Sequence, residues 1–378
     1  MGVLVVLCFL SVLLLSSQSR ASYPTYALAL LVIATFSQWR DAFAVSIFPW
    51  IGALLLWLGL STLWSEPFVA RDAASVVIRM LLVFSFVIAV AECQLRGQLQ
   101  KWMDIALSVC GVVVVLVAIA NFYLTDPEDG RLNGLGQLDT HVIAALVYGT
   151  VGIFVIRMFY RSDRKAVRTV AVIGLCAILF AIYLSDSRNA WVSVPVGLIV
   201  FLLANLVKDA RQFAVATVSV GSLALIAFVV LLFNDEVRAL LLPRGTSFRL
   251  EIWTAVLNRV GEASWLFGRG ILSPTELVSG EIVFYHAHNM YLAVLEQGGL
   301  VALFFYLVVI GKAIKVLWHN FEHEDAKLAL AILALGLSAH LLDGHELIDK
   351  VGASWFLIWL PVAIAAGLGW QQSQRPNF

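Results

Sequence analysis

Side chains that can carry out chemistry are concentrated in one polar interval of an otherwise hydrophobic chain, Ser247–Leu300. The interval contains three arginines and a close pair of histidines, namely Arg249, Arg259, Arg269, His286 and His288. A guanidinium group stays charged and presents a fixed fork of donors that fits phosphate oxygens. Histidine is the side chain best matched to moving a proton near neutral pH. The interval therefore indicates a site that binds an anion and transfers a proton.

A further arginine, Arg188, lies in SDSRNAW, a hairpin tip between two apolar runs. An unpaired charge buried between apolar helices costs several kcal/mol, so this guanidinium requires a partner. Taken alone, the residue has two interpretations that both stay open. It reaches lipid head groups or pairs with Asp186, or it binds an anion at the membrane surface.

Arg249 lies in FRLEIWTAVLNRV, where apolar residues recur at helical spacing: Phe248, Ile252, Trp253, Val256 and Val260. This pattern predicts an amphipathic helix that lies on or dips into the membrane interface. Arg249 borders the apolar face of that helix, so its side chain can point into a cavity. For Arg259 the favoured interpretation is ordinary exposure to solvent.

The histidine pair lies in HAHNMYLAVLEQGG, where His288, Tyr291 and Leu292 share a face once the helix begins. A structural role is the usual interpretation of one histidine alone, but the nearby arginines and Asn289 favour proton transfer. Two histidines at i and i+2 could also hold a metal. No third ligand of suitable spacing is nearby, so we expect no metal and no other cofactor.

The elements that position these residues are membrane helices. The chain has 378 residues, of which 61% are hydrophobic and 13% charged, and its mean hydropathy is +0.90. Soluble domains are about half apolar and about a quarter charged, which excludes that class. The apolar runs, roughly 15 to 22 residues long, match the bilayer core when wound as helix, and they do not alternate as barrel strands do. The predicted fold is all-α, a polytopic membrane bundle forming a single domain over residues 1–378.

About twelve apolar runs are candidate transmembrane helices. Their approximate bounds are 2–17, 23–37, 44–64, 74–93, 102–124, 140–158, 168–185, 190–207, 213–233, 290–317, 327–342 and 351–370. The second is short and could be interfacial. The tenth is too long for one straight crossing, so we predict a partly exposed helix over Asn289–Gln297 and a span that begins after Gly298-Gly299. Residues 234–289 then form one long loop with amphipathic helices between the ninth and tenth spans.

Lysine and arginine in the short loops predict the orientation, because they favour the inside. Their densest cluster is Arg157–Arg168, which places both termini inside and the long loop outside. The outside face also gathers GRLNGLGQLDTH, which contains Arg131, and LLDGHELIDK, which contains Asp343. We interpret the second of these as a solvated turn that caps the adjoining helices. Alternatively, its carboxylates bind acceptor sugars or supply the base in place of His288.

Four motifs in this order resemble the O-antigen ligase and polymerase superfamily over roughly residues 40–365. They are GRLNGLGQ after a span, SDSRNAW, R-x-x-I-W followed by G-x-G, and H-x-H-N-x-Y-L with downstream glycines. The loop after the fifth span departs from the family, which often continues into Asn-Pro-Asn where this chain has QLDTH. No family role is therefore carried over to Asp139 or His141.

The resemblance implies an integral membrane glycosyltransferase of the GT-C type, active at the periplasmic face of a bacterial inner membrane without metal or nucleotide sugar. Its donor would be a glycan on undecaprenyl pyrophosphate and its acceptor a sugar of lipid A-core, with no nucleic acid involved. It implies that Arg188 and Arg249 contact the pyrophosphate and that His288 has an acid-base role, which makes these three the candidate catalytic residues. The candidate substrate-binding residues are Arg131, His286, Asn289, Arg269 and Asp343.

Three alternatives stay open. A polymerase would extend the lipid-linked glycan instead, although one long outside loop rather than two favours a ligase. About twelve spans also suit a transporter or flippase of lipid-linked glycans. Charged residues are scarce at mid-membrane depth, however, with only Glu296 standing out in the tenth run. A non-catalytic scaffold in an envelope-polysaccharide complex is the third alternative.

Overall fold

The computed structural model describes residues 1–232, 248–279, 282–344 and 346–374, with the backbone alone at 99–101, 224–232, 278–279 and 282. The described chain is mostly helical. Its first part contains α1 (Gly2–Leu14), α2 (Gln18–Ala21), α3 (Tyr23–Ala34), α4 (Phe36–Trp39), α5 (Phe48–Leu60), α6 (Ala70–Leu95), α7 (Leu99–Ile105) and α8 (Gly111–Thr125). Its second part contains α9 (His141–Arg161), α10 (Lys165–Leu184), α11 (Arg188–Leu206), α12 (Ala210–Leu232), α13 (Arg249–Ala263), α14 (Met290–His319), α15 (Glu324–Leu342) and α16 (Leu360–Ser373).

Shorter turns of other helix types extend several of these elements. Two 3₁₀ turns, Arg40–Ala44 and Ser61–Trp64, follow α4 and α5. Two π-helical turns, Ala106–Cys110 and Trp355–Trp359, join α7 to α8 and precede α16. A two-stranded antiparallel hairpin, β1 (Leu277–Ser279) and β2 (Ile282–Phe284), pairs Leu277 with Phe284. The sequence patterns did not predict this hairpin.

Seven helices within the described residues are long and apolar enough to cross a membrane, or eight if one bent pair counts as a span. The bent pair runs from Phe36 to Trp64 and turns by 98° at its break. The protein is therefore a multi-pass membrane protein. The count of about twelve spans and the inside-outside orientation stay predictions, as does the single-domain boundary.

Each predicted apolar run nevertheless contains a helix at nearly the predicted position. The second run forms α3, which at 12 residues is shorter than the predicted 23–37. The third run forms α5 and the 3₁₀ turn that follows it, and only its first residue, Ala44, belongs to the other arm of the 98° bend. The end of the ninth run, residue 233, and residues 234–247 of the long loop lie outside the described residues.

The tenth run is broken where the sequence predicts. Gly299 has φ 69° and ψ −167° inside α14, so two helical pieces meet at a kink there. The first piece is partly exposed at Tyr291, Leu292 and Gln297, whereas Met290, Val294 and Glu296 are buried. Apolar side chains of α13 and β1 cover this piece and form a small cluster with it, which includes Ile252, Val256, Val260, Leu277, Ala293 and Leu295.

The loop between α13 and β1 is joined to the break in α14 by main-chain hydrogen bonds. The Arg269 and Gly270 amides donate to the carbonyls of Glu296 (2.7 Å) and Gln297 (3.0 Å), and the Leu300 amide donates to Trp265 O (2.8 Å). These bonds satisfy polar groups that the interrupted helix leaves without an internal partner. The broken helix and the loop therefore form one hydrogen-bonded unit.

A buried ion-pair network lies near the start of α15. Arg157 of α9 pairs with Asp325, and its Nε lies 3.5 Å from Asp104 Oδ2. Gln94 Nε2 donates to the other oxygen of Asp325 at 2.7 Å, and Arg161 pairs with Asp104 at 2.8 Å. Arg157 and Asp325 are each 1% exposed, so the network joins helices inside the bundle.

Candidate active site

The C-terminal end of α15 is the point at which the predicted site elements meet. Three side chains donate hydrogen bonds to carbonyls in its last turns. Asn189, in the first turn of α11, donates to Ala339 O at 3.1 Å. Asn289, which precedes α14, donates to Leu341 O at 3.1 Å, and Tyr291 donates to Leu337 O at 3.2 Å. These bonds bring the residues beside Asn189 and Asn289, which are Arg188 and His288, to the same end of α15.

His288 is paired with Asp343, the residue directly after α15. His288 Nδ1 lies 3.1 Å from Asp343 Oδ1, and the Gly344 amide also donates to that oxygen at 2.8 Å. His288 adopts a left-handed backbone with φ 45°, and Asn289 caps α14 by accepting a hydrogen bond from the Leu292 amide. A side chain in this backbone region persists where its surroundings hold it.

The charge of Asp343 fixes the proton arrangement of the pair. Burial alone would raise the pKa of Asp343, but the hydrogen bond and charge of His288 and the Gly344 amide lower it below its ordinary value. An ionised carboxylate only accepts hydrogen bonds, so His288 Nδ1 must be the donor. In the neutral imidazole, His288 Nε2 then has a free lone pair and can accept a proton.

Arg249, in the first turn of α13, lies close to Asp343 and to Arg188. Burial lowers the pKa of Arg249, the negative charge of Asp343 opposes this shift, and the positive charge of Arg188 adds to it. The two guanidinium groups are therefore close enough to repel each other. The Nε atom of Arg249 is buried and has no hydrogen-bond partner among the described residues. This arrangement brings two guanidinium groups near the His288–Asp343 pair, and such groups fit phosphate oxygens.

Arg131 lies next to the α10–α11 turn, on the side of His141 and Asp186. Its Nη1 is 3.2 Å from His141 Nε2, and its Nη2 donates to Asp186 Oδ2 at 3.2 Å. The Leu132 amide donates to Leu184 O at 3.0 Å and holds this loop against the hairpin tip. Arg131 thus borders Arg188 and Arg249, which we call the arginine cluster. His141, for which the sequence indicated no role, contacts Arg131 directly.

His286 and His288 are in ring contact, with centroids 3.7 Å apart. With Asp343 they form a group whose three ligand atoms all lie within 4.8 Å of one another, a spacing that could hold a metal ion. The expectation that no third ligand is near the pair is therefore wrong. The reason is that Asp343 is 55 residues away in sequence and is brought in by the fold.

Arg259 and Arg269 lie around Glu296 rather than Asp343. Arg259 Nε is 3.3 Å and Arg269 Nη1 is 3.8 Å from Glu296 Oε1. Arg259 also donates to the carbonyls of Pro274 (2.8 Å) and Glu276 (2.7 Å), and its side chain is 22% exposed. The expectation that Arg259 is an ordinary solvent-exposed residue is wrong, because the chain after α13 folds back over it.

Two of the predicted substrate-binding residues already bind other groups of the protein. Both ends of the Asn289 amide are used, one by Leu341 O and one by the Leu292 amide. Arg269 faces Glu296. Their binding roles stay predictions, whereas their contacts position the first turn of α14 and the loop before β1.

The turn after α15 is held by ion pairs to another helix, so it differs from the solvated cap that we expected. Arg79 of α6 lies 3.4 Å from Glu346 Oε2 and 3.7 Å from Asp349 Oδ1. Burial first, and then the neighbouring charge and hydrogen bond of Asp349, raise the pKa of Glu346 to about 7. Residue 345 of this turn lies outside the described residues. The turn therefore places the carboxyl group of Glu346 close to His286, and this group can exchange a proton near neutral pH.

Comparison with known proteins finds two similarities. Residues 173–307 match the family model described as O-antigen ligase, and this region contains Arg188, Arg249 and His288. The chain is 28% identical to the O-antigen ligase of Pseudomonas aeruginosa over 318 residues. This aligned region covers 83% of this chain and 75% of that protein. The ordered motifs, the helical membrane fold and these two matches together make the chain similar to the O-antigen ligase superfamily.

Proposed function

We propose that the protein moves a glycan from undecaprenyl pyrophosphate to a sugar of lipid A-core at the periplasmic face of the bacterial inner membrane. Similarity to the O-antigen ligase family supports a ligase-type, glycosyltransferase-like enzyme. The observation that carries the finer proposal is the position of Arg188 and Arg249 beside the His288–Asp343 pair. A cationic pocket is thereby combined with a proton acceptor.

Arg188 and Arg249 bind the pyrophosphate in this proposal. Negative charge grows on the leaving pyrophosphate as the glycosidic bond breaks. Fixed guanidinium groups aimed at that charge stabilise the transition state more than the resting substrate. Two arginines whose charges already repel each other gain additional stability when an anion separates them. Arg131 lies at the edge of the cluster and supplies a further positive charge.

His288 acts as the general base in this proposal. The attacking hydroxyl of the acceptor loses its proton to His288 Nε2, while Asp343 holds the ring and stabilises the imidazolium that forms. In-line attack on the anomeric carbon inverts its configuration. No step requires a metal, although His286, His288 and Asp343 have the spacing of a metal site. Treatment with a chelator should therefore leave the rate of transfer unchanged.

Reconstitution with defined substrates tests the proposal. Purified protein incubated with undecaprenyl-pyrophosphate glycan and lipid A-core should yield ligated lipopolysaccharide on a gel. Lengthened lipid-linked glycan would instead identify a polymerase. Uptake of the lipid-linked glycan into vesicles without either product would identify a transporter.

Three substitutions test the assigned roles. Arg188→Ala, Arg249→Ala and His288→Ala should each lower transfer by at least about a hundredfold, because each removes a group that acts in the transition state. Arg40→Ala is a matched control, since Arg40 pairs only with the exposed Asp41 among the described residues. Near-normal transfer by the His288 variant would remove the proposed base, and normal transfer by both arginine variants would remove the proposed pyrophosphate site.

A further inference from the structure

Two adjoining cavities lie next to His286, away from the arginine cluster. The first, which we call the His286 lobe, has a volume of about 220 Å³ and is lined in part by His286, Tyr285 and Thr275. The second, which we call the Arg79 lobe, has a volume of about 260 Å³ and is lined in part by Arg79, Asp72 and Ser75. Both lobes share four lining residues, Ile271, Leu272, Gln297 and Glu346, so they form one groove.

We propose that this two-lobed groove binds the saccharide of the acceptor and leads its attacking hydroxyl to His288. The inference rests on the proposed function and specifies where the second substrate lies. Together the lobes reach the size of small-molecule sites, which is roughly 300 to 1,000 Å³. The His286 ring forms part of the first lobe and contacts the ring of His288, so the groove ends beside the proposed base.

The lining of the Arg79 lobe suits sugar hydroxyls. It combines a guanidinium, a hydroxyl and an amide with the carboxyl groups of Asp72 and Glu346, so donors and acceptors face one space. Val76, Ile271 and Ile348 add apolar surface for the faces of sugar rings. At the other lobe, Tyr285 is 69% exposed and offers a flat ring with a hydroxyl, a combination that contacts both faces and edges of sugars.

The same lining disfavours the other parts of the two substrates. A pyrophosphate would meet the carboxylate of Asp72 and the guanidinium of Arg79, which already pairs with Glu346 and Asp349. A polyprenyl tail would bury these polar groups against hydrocarbon. Neither Arg188 nor Arg249 is among the described residues that line the two lobes. In-line displacement requires the attacking hydroxyl to approach from the side opposite the pyrophosphate. A groove that reaches the base without these arginines therefore fits the acceptor.

The groove is tested by filling the Arg79 lobe. Ser75 lines this lobe in the second turn of α6, whereas the neighbouring Ala74 is exposed and does not line it. Ser75→Trp should raise the KM for lipid A-core by at least about tenfold, with the KM for the lipid-linked donor unchanged. Ala74→Trp, which adds the same bulk one position away, should change neither. Asp72→Asn is a milder variant that should raise the acceptor KM by about threefold through a lost hydrogen bond.

A binding measurement without donor separates the two proposals. Soluble core oligosaccharide, from which the lipid has been removed, should bind the wild-type protein in calorimetry and bind Ser75→Trp at least about tenfold more weakly. If the wild-type protein forms product and both groove variants keep the wild-type acceptor KM, the groove inference is wrong and the proposed function stands. A rise in the donor KM instead would assign the groove to the donor glycan and overturn the inference. A wild-type protein that binds the oligosaccharide but forms no product would overturn the proposed function alone.

Discussion

At the scale of single residues, the proposed chemistry depends on which nitrogen of His288 carries the proton. Asp343 Oδ1 receives hydrogen bonds from both His288 Nδ1 and the Gly344 amide, so it acts as an acceptor. The ring is thereby held with Nε2 available. Removing the carboxylate while keeping the shape of the side chain tests this function directly.

We expect Asp343→Asn to lower kcat by roughly 10²- to 10⁴-fold with little change in either KM, because the neutral amide neither fixes the ring nor stabilises its charged form. The pKa of Asp343 is lowered from 3.8, so its ionised form stabilises the fold above that pH, and this stabilisation is lost only as the pH falls through the lower folded-state value. The effect of Asp343→Asn on the free energy of unfolding should therefore be constant between about pH 5 and 8. Asp41→Asn is the control. An effect on unfolding that disappears within this range would contradict an ionised Asp343.

The sequence patterns selected Arg188, Arg249 and His288, whose site roles stay predictions, but not the partners of these residues. Arg188, Arg249 and His288 were recognisable because charged residues beside apolar helices are uncommon. Asp343 was assigned to a solvated turn, to substrate binding or to an alternative base. Its contact with His288 was not predicted, because that contact arises from the packing of α14 against α15. Arg259 was expected to be exposed, because helical periodicity says nothing about the carbonyls of a loop that folds back.

At the scale of elements, the break in α14 positions both His288 and the loop that lines the groove. A Cβ atom at Gly299 would collide with the Leu266 carbonyl, and its φ of 69° strains any other residue. The doublet Gly298-Gly299 made this break predictable. The hydrogen bonds that join it to the loop were not predictable, because they pair main-chain atoms that no side-chain pattern reports.

Gly299→Ala should lower the free energy of unfolding by more than about 1 kcal/mol, measured by thermal denaturation in detergent micelles. Gly311, in the second piece of the same helix, is the matched control, since no atom lies within 4 Å of a Cβ placed there. Gly311→Ala should be neutral or stabilising by about 0.5–1 kcal/mol. Equal effects of the two substitutions would contradict the assigned role of the break.

At the scale of the whole molecule, helices α9 and α15 connect two polar regions. One end of each carries site residues, His141 and Asp343, and the other end carries Arg157 and Asp325 of the buried network. Sixteen residues of helix separate His141 from Arg157, which corresponds to about 24 Å. The order of the apolar runs predicted which ends of these helices lie on the same side. The pairing of Arg157 with Asp325 was not predicted, because both residues look in the sequence like ordinary charges at the ends of loops.

Asp325→Ala should destabilise the protein by about 3–5 kcal/mol, because it leaves the Arg157 guanidinium buried with one carboxylate fewer. The measurement is the unfolding midpoint in detergent. Asp163→Ala is the control, because the side chain of Asp163 is fully exposed and its pair with Arg168 contributes little. A loss below about 1 kcal/mol would show that Asp325 is not needed to neutralise Arg157.

The hydrogen bonds between the α13–β1 loop and the break in α14 restrict how a substrate can enter. If the loop moved away from the break, the hydrogen bonds donated by the amides of Arg269, Gly270 and Leu300 would all break together. Amide exchange at these three positions should accordingly be as slow as in the adjoining helix. For the lipid-linked donor that we propose, we therefore predict lateral entry from within its own membrane leaflet rather than entry through an opening of this loop.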